Sequence, residues 1–321
     1  MSRGAGTIAP ASLPSGFAPM LATSGPPFDS DRHLFEVKWD GIRAVTMVDR
    51  HGVRMLSRRG SDLTGNYPEL AVLERLPPGT VVDGEIVVFN EGRPDFEFAL
   101  RRDRRGSGAP DGTGQPAVYV VFDLMYLSFA PTMDRPLQER RKPLAELVGA
   151  CRSDHVVLSE GIVGAGVRFY REVCERAMEG VMAKRRDSRY LAGRRSDAWV
   201  KIKRRVSYHC LVLGFIAKEG RDFQSLAVAT EREPGAGLHY AGRVGGGFDA
   251  AERAELNDLL RRHRCDEPLL PVPGDRSARD QLDQVCWVEP VLFCVVSCVG
   301  MTAGGLLRAP VFERLVREGE A

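Results

Sequence analysis

The feature of this sequence that most limits its fold is a set of short β-forming runs in which charged and apolar side chains alternate. In HLFEVKWDGIRAV, residues 33–45, a period of two separates the aromatic and aliphatic residues from Glu36, Lys38 and Asp40. This pattern predicts that Lys38 lies within a strand, just before an Asp-Gly turn. The charged face of such a strand either meets water or lines a pocket in which a lysine has a chemical task.

Other runs repeat this alternation of side chains. TVVDGEIVVF places Asp83 and Glu85 on one face of a strand, and WVKIK places Lys201 and Lys203 on one face of another. Each run alone is typical of a half-solvated antiparallel sheet. Acids and lysines on several separate strands together favour a charged pocket. The mixture of such strands with a few helices predicts an α+β fold with largely antiparallel sheets.

The length of 321 residues exceeds what one hydrophobic core usually organises, which favours two domains. Residues 1–17 are rich in Gly, Pro and small side chains and are expected to form a flexible leader. The α+β domain is predicted to span residues 18–204. Residues 205–321 carry three closely spaced strand patterns, an amphipathic helix and two further strand patterns, which predicts an all-β, five-stranded OB barrel.

Positive charge is concentrated in one segment of the chain. The net charge is only +2, but residues 184–205 hold ten Lys or Arg against two Asp. A local excess of this kind suits a polyanion, because each neutralised phosphate releases counterions. A solvated basic face would show the same composition.

The cysteines and apolar runs limit the compartment. The seven cysteines are odd in number and form no Cys-x-x-Cys pair, which argues against a disulfide framework and a four-Cys zinc site. Cys294 and Cys298 are expected to pack in an apolar strand. The longest apolar run, VLFCVVSCVG, is about half the length of a membrane span. These observations predict a cytoplasmic protein that does not enter a membrane.

The common phosphate-binding motifs do not occur in the sequence. It contains no Gly-x-x-x-x-Gly-Lys-Ser/Thr loop, and GRVGGGF lacks the strand-then-helix context of a dinucleotide fingerprint. His-Glu-x-x-His does not occur either, and the six histidines are scattered. If the chain handles a nucleotide, side chains must bind its phosphates.

The run KWDGIR, residues 38–43, resembles the Lys-x-Asp-Gly-x-Arg signature of covalent nucleotidyltransferases. Five further segments follow in the order and spacing of that superfamily's motifs: LSRRG (56–60), DGEIV (83–87), YVVFDLMYL (119–127), EGVMAKR (179–185) and WVKIK (199–203). APMLA near residue 20, RPLQERRKPL and YLAGRRSDAWVKIK are similar to bacterial ATP-dependent DNA ligases. The similar types are the small two-domain ligase C and the ligase module of ligase D. The resemblance covers nearly the whole chain after the leader.

The resemblance implies a three-step reaction that seals nicks in DNA. Lys38 attacks the α-phosphate of ATP and forms lysyl-AMP, AMP passes to the 5′-phosphate of a nick, and the 3′-hydroxyl displaces it. Nicked duplex DNA is the implied partner, with other break-repair proteins as candidate partners. The chain is expected to be a monomer near the bacterial nucleoid. NAD-dependent relatives carry an extra N-terminal domain and a four-Cys zinc finger, so ATP is the expected substrate.

The resemblance also implies a role for each matching residue. Asp40 and Arg43 join Lys38 in the catalytic set, and Arg43, Arg204 and Arg205 are expected to contact DNA. The implied ATP and AMP ligands are Glu36 near the adenine, Phe122 stacked on it, Arg58 and Glu85 at the ribose, and Lys184, Lys201 and Lys203 at the phosphates. Glu179 and Glu85 are expected to hold Mg²⁺ or Mn²⁺, with help from Asp40.

Elementary chemistry agrees with these implied roles. A free lysine has a pKa of about 10.4 and is almost entirely protonated at neutral pH. Neighbouring cations, such as Lys201, Lys203 and a bound metal, favour the neutral amine that can attack phosphorus. Phosphoryl transfer requires in-line placement and neutralised oxygens more than a strong base, so a site without histidine is adequate.

The sequence departs from the family pattern near its C-terminus. The family's last motif, a basic Arg-x-Asp-Lys segment, would begin at Val316, and Val295 stands where relatives carry an acid. A shift of one residue would use Arg317 instead; without it, self-adenylylation is expected to be slow. Three alternatives therefore stay open: an RNA ligase, a capping-type nucleotidyltransferase, and a nick- or end-binding module with weakened self-adenylylation.

Overall fold

A computed structural model describes residues 12–105, 116–217, 223–233, 235–268, 284–302 and 304–317. The chain divides into two compact units, Met1–Arg204 and Arg205–Ala321. Unit 1 contains two β-sheets with helices, and unit 2 contains one β-sheet and a helix.

The first sheet of unit 1 has five strands in the spatial order β1-β12-β11-β2-β10. Its strands are β1 (Leu21–Ser24), β2 (Ser30–Val37), β10 (Gly161–Gly164), β11 (Gly180–Arg185) and β12 (Arg195–Lys203). All of its pairings are antiparallel except that of β1 with β12. Helix α3 (Gly166–Glu175) packs on this sheet, and Phe35, Val173, Val181 and Ile202 form the core between them.

The second sheet of unit 1 has seven strands, and β5 and β7 are its long central members. Its strands are β3 (Ile42–Asp49), β4 (Gly52–Ser57), β5 (Thr80–Asn90), β6 (Arg93–Pro94), β7 (Ala117–Leu127), β8 (Ala130–Pro131) and β9 (Val156–Leu158). β5 and β7 are almost entirely buried, which explains their near-continuous apolar sequences. Two helices, α1 (Phe96–Arg105) and α2 (Leu137–Cys151), pack on the sheet, and two short 3₁₀ segments lie at Thr64–Asn66 and Pro68–Arg75.

A hairpin follows KWDGIR, and the predicted strand position of Lys38 is wrong. In the hairpin, β3 ends at Asp49 and β4 begins at Gly52. β2 ends at Val37, and the chain then passes from the first sheet to the second, so regular alternation does not continue through Asp40. The Lys38 backbone N–H still donates to the Gly180 carbonyl at 2.8 Å. Gly41 completes the crossing, since a Cβ there would lie 2.2 Å from the Ile86 carbonyl oxygen.

Unit 2 confirms the predicted order of three strands followed by a helix. Its elements are β13 (Val206–Ala217), β14 (Phe223–Glu231), β15 (Leu238–Val244), α4 (Ala250–Arg262), β16 (Val285–Trp287), β17 (Phe293–Cys298) and β18 (Val311–Leu315). A reciprocal capping box between Asp249 and Glu252 starts α4. The described residues form six strands, not five, because the pattern at 285–299 divides into β16 and β17. Cys294 and Cys298 are buried in β17, as predicted.

None of the helices in the described part of the chain combines the length and the hydropathy that a membrane span requires.

A buried ion pair fixes helix α2 on the second sheet of unit 1. The guanidinium of Arg140 donates to both carboxylate oxygens of Asp123 on β7, at 2.7 and 2.8 Å, and both side chains are fully buried. Its remaining nitrogen donates to the carbonyls of Arg135 and Ser188 at 2.6 and 2.9 Å. Every charge is thus paired and hydrogen-bonded, which a buried ion pair requires. Because Phe122 precedes Asp123, the pair also fixes the backbone that carries Phe122.

We predict that Arg140→Met lowers the free energy of unfolding by about 3–5 kcal/mol, because it leaves Asp123 buried without a partner charge. Urea and thermal unfolding measure this loss. The matched control is Arg168→Met, since Arg168 and Glu172 form an exposed pair on α3; its effect should stay within about 0.5 kcal/mol. An equal loss of unfolding free energy in the two variants would contradict the claim that the buried pair of Arg140 and Asp123 stabilises the fold more than the exposed pair.

Candidate active site

A cavity of about 340 Å³ in unit 1 collects side chains from both sheets. Its lining residues are Met20, Leu21, Ala22, Glu36, Val37, Lys38, Trp39, Arg43, Arg58, Glu85, Phe122, Met182, Lys184, Arg195, Trp199, Lys201 and Lys203. Lys38 and all seven residues predicted to bind the nucleotide are among them, together with Arg43. The two sheets therefore bring these side chains together from segments up to about 165 residues apart in sequence.

Lys38 is paired with an acid where strands β2 and β11 of the first sheet meet, just after the end of β2 and just before the start of β11. Its amine donates to one carboxylate oxygen of Glu179, and the amine of Lys203 lies 2.9 Å from the other. Glu179 immediately precedes β11, and at Gly180 a Cβ would lie 2.1 Å from the Ile202 carbonyl oxygen. With φ of +144° at Gly180, this close approach of β11 to β12 requires glycine. Local backbone geometry thus places Glu179 between the two lysines.

Several cations lie close together around Lys201. Partial burial lowers the pKa of Lys201, and the positive charges of Lys203, Arg195, Lys38 and Arg58 lower it further. These five side chains, all lining the cavity, are called the cationic group below. A concentration of positive charge in a concave site attracts a polyphosphate strongly. The same field favours the neutral form of an amine.

A second group surrounds Glu36 deeper in the protein. The carboxylate of Glu36 is 2 % exposed; one of its oxygens accepts from Arg141 and the other lies 2.5 Å from the amine of Lys184. The Lys184 amine also lies 4.1 Å from the ring centre of Phe122 and 4.5 Å from that of Trp199. Burial raises the pKa of Glu36 against the opposing effect of Lys184 and Arg141, and burial lowers the pKa of Lys184.

Lys184 differs in its contacts from Lys201 and Lys203. Its buried amine lies beside the carboxylate of Glu36 and the rings of Phe122 and Trp199. The assignment of Lys184 to the phosphates stays a prediction.

Arg43 is held by a carboxylate on the neighbouring strand β5. Its Nε and Nη2 each donate to Asp83 at 2.6 Å, and Tyr190 donates its hydroxyl to the same carboxylate at 2.6 Å. The guanidinium lies 4.7 Å from the ring centre of Phe122. Burial lowers the pKa of Arg43, but Asp83 more than offsets this effect, so the pKa lies above its usual value. Arg43 thus supports the wall of the cavity, and a contact with DNA stays a prediction.

Glu85 and Glu179 could together contribute oxygens to a divalent cation. Burial raises the pKa of Glu85 to about 7, Arg43 and Lys38 lower it, and Asp83 and Glu179 raise it. Glu85 lines the cavity, and Glu179 pairs with Lys38 and Lys203, which line it too. Within the described residues, no three His, Cys, Asp or Glu side chains form a complete metal cage. Two carboxylates beside a phosphate site fit Mg²⁺, which usually keeps few protein ligands and binds substrate oxygens as well.

The other predicted residues lie outside the cavity lining. Asp40 is in the segment that joins β2 to β3, and the backbone N–H of Arg204 donates to the Glu179 carbonyl at 2.8 Å. In unit 2, the Arg205 guanidinium donates to the Ser297 hydroxyl and to the Ser297 and Ala309 carbonyls at 2.8–3.0 Å. These bonds give Arg205 a structural task, and its assignment to DNA stays a prediction.

Sequence reasoning did not identify Arg141 or the partners of Arg43 and Glu36. A signal was present in α2, where buried Leu137, Arg140, Leu144, Val148 and Cys151 follow helical spacing. An arginine within that apolar stripe requires a buried acid, and its neighbour Arg141 must point elsewhere. Which acid each arginine meets depends on how α2 lies on β7, and this is not readable from spacing.

Comparisons with known proteins identify the class to which this fold and cavity belong. The two sheets around the cavity and the following β unit are those of an adenylation domain and an OB-fold domain, as the sequence predicts. A family model described as "ATP dependent DNA ligase domain" matches residues 19–203, and one described as "ATP dependent DNA ligase C terminal region" matches residues 219–318. The chain belongs to the family of ATP-dependent DNA ligases.

Among its relatives, the multifunctional non-homologous end joining protein LigD of Mycobacterium bovis is 36% identical over 297 residues. That match covers 91% of this chain and 37% of the relative, so the chain spans little more than a third of the protein it resembles. The crystal structure of the ligase domain from M. tuberculosis LigD matches with a TM-score of 0.55 and 34% identity, over 94% of this chain and 95% of that one. A mycobacterial DNA ligase D complexed with ATP and MES matches with a TM-score of 0.53 and 33% identity, over the same shares of the two chains.

The raised pKa of Glu85 gives a prediction about pH. Between about pH 4.5 and pH 7 the folded, ligand-free protein keeps a proton on Glu85 that the unfolded chain has lost, so this group stabilises the fold less as pH rises. We predict that Glu85→Gln, relative to wild type, gains up to about 3 kcal/mol of stability between pH 4.5 and pH 8. Urea unfolding at several pH values measures this difference, with exposed Glu160→Gln as the control. Parallel pH profiles for Glu85→Gln and wild type would contradict it.

Proposed function

We propose that this ATP-dependent DNA ligase seals nicks in duplex DNA through a covalent AMP intermediate on Lys38. The observation that carries the proposal is that Lys38 is paired with Glu179 and lines one cavity with the other four members of the cationic group, together with aromatic walls and a buried carboxylate. Residues 18–204 would form the adenylation domain and residues 205–321 the OB domain. A relative complexed with ATP supports ATP as the nucleotide.

In the first step, the Lys38 amine attacks the α-phosphorus of ATP. The N–P bond forms while the bond from the α-phosphorus to the bridging oxygen breaks, and pyrophosphate leaves. The other four members of the cationic group hold the polyphosphate and neutralise its oxygens. When ATP binds, its phosphates compete with Glu179 for Lys38 and Lys203, which releases the amine from its ion pair. The AMP group then passes to a 5′-phosphate of DNA, and the 3′-hydroxyl displaces AMP to close the phosphodiester bond.

The base of the nucleotide would occupy the part of the cavity near Glu36. Phe122 supplies an aromatic face, and Glu36 supplies an acceptor for an exocyclic amine such as that of adenine. Arg58 and Glu85 line the same cavity and are the proposed ligands of the ribose. When bound, Mg²⁺ or Mn²⁺ would be held by Glu179 and Glu85 and would neutralise phosphate oxygens.

The exposed basic side chains of unit 1 support a DNA-binding face. Arg189, Arg194 and Arg195 are all exposed, and Arg195 also lines the cavity. They are better placed to contact a phosphate backbone than Arg205, whose guanidinium already donates hydrogen bonds to Ser297 and Ala309. The proposed substrate is nicked duplex DNA in the bacterial cytoplasm. The LigD relatives are named for non-homologous end joining, so break-repair proteins are the partners we propose.

Family membership does not favour an RNA ligase, a capping enzyme or a binding module. The departures near the C-terminus nevertheless have defined places in unit 2. Val295 is 6% exposed on β17 and pairs with Arg314 of β18, and the Val316 N–H donates to the Phe293 carbonyl. A slow first step therefore stays a prediction, which separate assays of the first and last steps will test.

We predict that the purified protein, incubated with labelled ATP and Mg²⁺ or Mn²⁺, forms a protein–AMP adduct and that Lys38→Ala forms none. The last step does not use the Lys38 amine as a nucleophile, so Lys38→Ala should still close a nick supplied with AMP already on its 5′-phosphate. Lys142→Ala, at an exposed position on α2, is the control and should label like wild type. Labelling of Lys38→Ala at the wild-type level would remove the proposed function.

We predict that nick affinity falls steeply with salt and that Arg189, Arg194 and Arg195 contribute to this dependence. Arg194→Ala should reduce the slope of log Kd against log salt concentration by about one, the share of a single phosphate contact. Fluorescence anisotropy at four salt concentrations measures the slope. Arg168→Ala, exposed on α3, is the matched control. An unchanged slope in Arg194→Ala, or an equal change in the control, would place the DNA elsewhere.

A further inference from the structure

We propose that Arg141 of helix α2 is a positioning residue that selects the nucleotide base by fixing the buried carboxylate of Glu36. This inference rests on the proposed function, since it concerns the base of the ATP that Lys38 consumes. Arg141 is not among the residues that line the cavity. Its effect on the base would therefore pass through Glu36.

The geometry leaves Arg141 little freedom. Its Nη1 donates to one oxygen of Glu36, and its Nη2 donates to the Ser159 carbonyl at 2.7 Å. The Ser159 N–H donates to the Val121 carbonyl at 2.8 Å, which ties this segment to the strand that carries Phe122. The side chain of Arg141 is 16% exposed. Both terminal nitrogens of the guanidinium are thus hydrogen-bonded. They fix the Glu36 carboxylate relative to the ring of Phe122.

The same segment also contacts the residue after the nucleophile. The Ser159 hydroxyl accepts from the Trp39 indole at 3.3 Å, and Trp39 lines the cavity beside Lys38. Ser159 itself is 1% exposed. Arg141 and Trp39 therefore both donate to buried Ser159. These bonds fix the position of the Glu36 carboxylate, the proposed acceptor for the base, relative to the backbone next to Lys38.

The charges around Glu36 explain why two cations are needed. Lys184 on β11 and Arg141 on α2 face the carboxylate, while Asp123 on β7 repels it. Asp123 is itself neutralised by Arg140. Without Arg141, burial would favour the protonated acid more strongly. A protonated Glu36 presents a donor where an exocyclic amine needs an acceptor, and it would suit the 6-carbonyl of a guanine better.

The neighbours Arg140 and Arg141 illustrate two tasks for one residue type. Consecutive residues of a helix point about 100° apart. Arg140 therefore meets the buried Asp123, and Arg141 meets Glu36. The first pair stabilises the fold, whereas the second shapes the site.

The test compares Arg141→Met with wild type in the adenylylation reaction, with Lys142→Met on α2 as the matched control. We expect Arg141→Met to raise the KM for ATP about tenfold or more, the effect of losing about one charged hydrogen bond, and to leave kcat within about threefold. The ratio of ATP to GTP use should fall. The midpoint of the pH profile of KM should move to higher pH, because the pKa of Glu36 rises. Arg141→Lys keeps the charge and should restore the midpoint.

A Glu36→Gln background completes the experiment. If Arg141 acts through Glu36, Arg141→Met should shift no pH midpoint in Glu36→Gln and should change KM less there than in wild type. Wild-type KM, nucleotide preference and pH midpoint in Arg141→Met would overturn the inference while leaving the proposed function intact. Equal loss of kcat for ATP and GTP, without a pH shift, would also overturn it and assign Arg141 to stability alone. If Arg141→Met does not fold, the KM for ATP and the ratio of ATP to GTP use are measured in Arg141→Lys instead, and wild-type values of both would overturn the inference.

Discussion

The structure of unit 1 depends on pairs between carboxylates that are buried or partly buried and cations from other parts of the chain. Glu179 lies between Lys38 and Lys203, Asp83 holds Arg43, Asp123 holds Arg140, and Glu36 lies between Arg141 and Lys184. A buried charge without its partner costs several kcal/mol. The pairs of Asp83, Asp123 and Glu36 join different strands or a strand and a helix, and that of Lys38 and Glu179 joins the end of β2 to the start of β11. The charges are therefore balanced only when both sheets and α2 are assembled. The fold and the site are therefore stabilised by the same contacts.

These pairs also divide the cavity by chemistry. Around Lys38, cations exceed carboxylates, and the cationic group is ready to receive phosphates. Around Glu36, the carboxylate is matched by Lys184 and Arg141 beside aromatic rings, which suits a planar base with an amine. ATP combines both properties in one molecule. In the proposed reaction, the phosphates of ATP replace the ion pair between Lys38 and Glu179 that holds the amine in the ligand-free structure.

Much of this site was readable from the sequence. Alternation placed Lys201 and Lys203 on one face of β12, and the ordered motifs led to Glu36, Glu85, Phe122 and Glu179, which all meet around one cavity or its edge. Other features depend on long-range geometry. The end of β2 at Val37 follows from the change of sheet, and the division into β16 and β17 follows from pairing within unit 2. The partners of Arg43 and Glu36, and the use of Arg205 within unit 2, follow from contacts between segments far apart in sequence, which periodicity cannot specify.

The central claim is that the amine of Lys38 carries the nucleotide. The most direct test is peptide mapping by mass spectrometry of the purified wild-type protein after incubation with ATP and Mg²⁺ and digestion under alkaline conditions, which preserve a P–N bond. The account predicts one AMP group on the peptide that contains Lys38. An AMP group on a different lysine, such as Lys201, or an unmodified Lys38 peptide in a preparation that seals nicks, would contradict it.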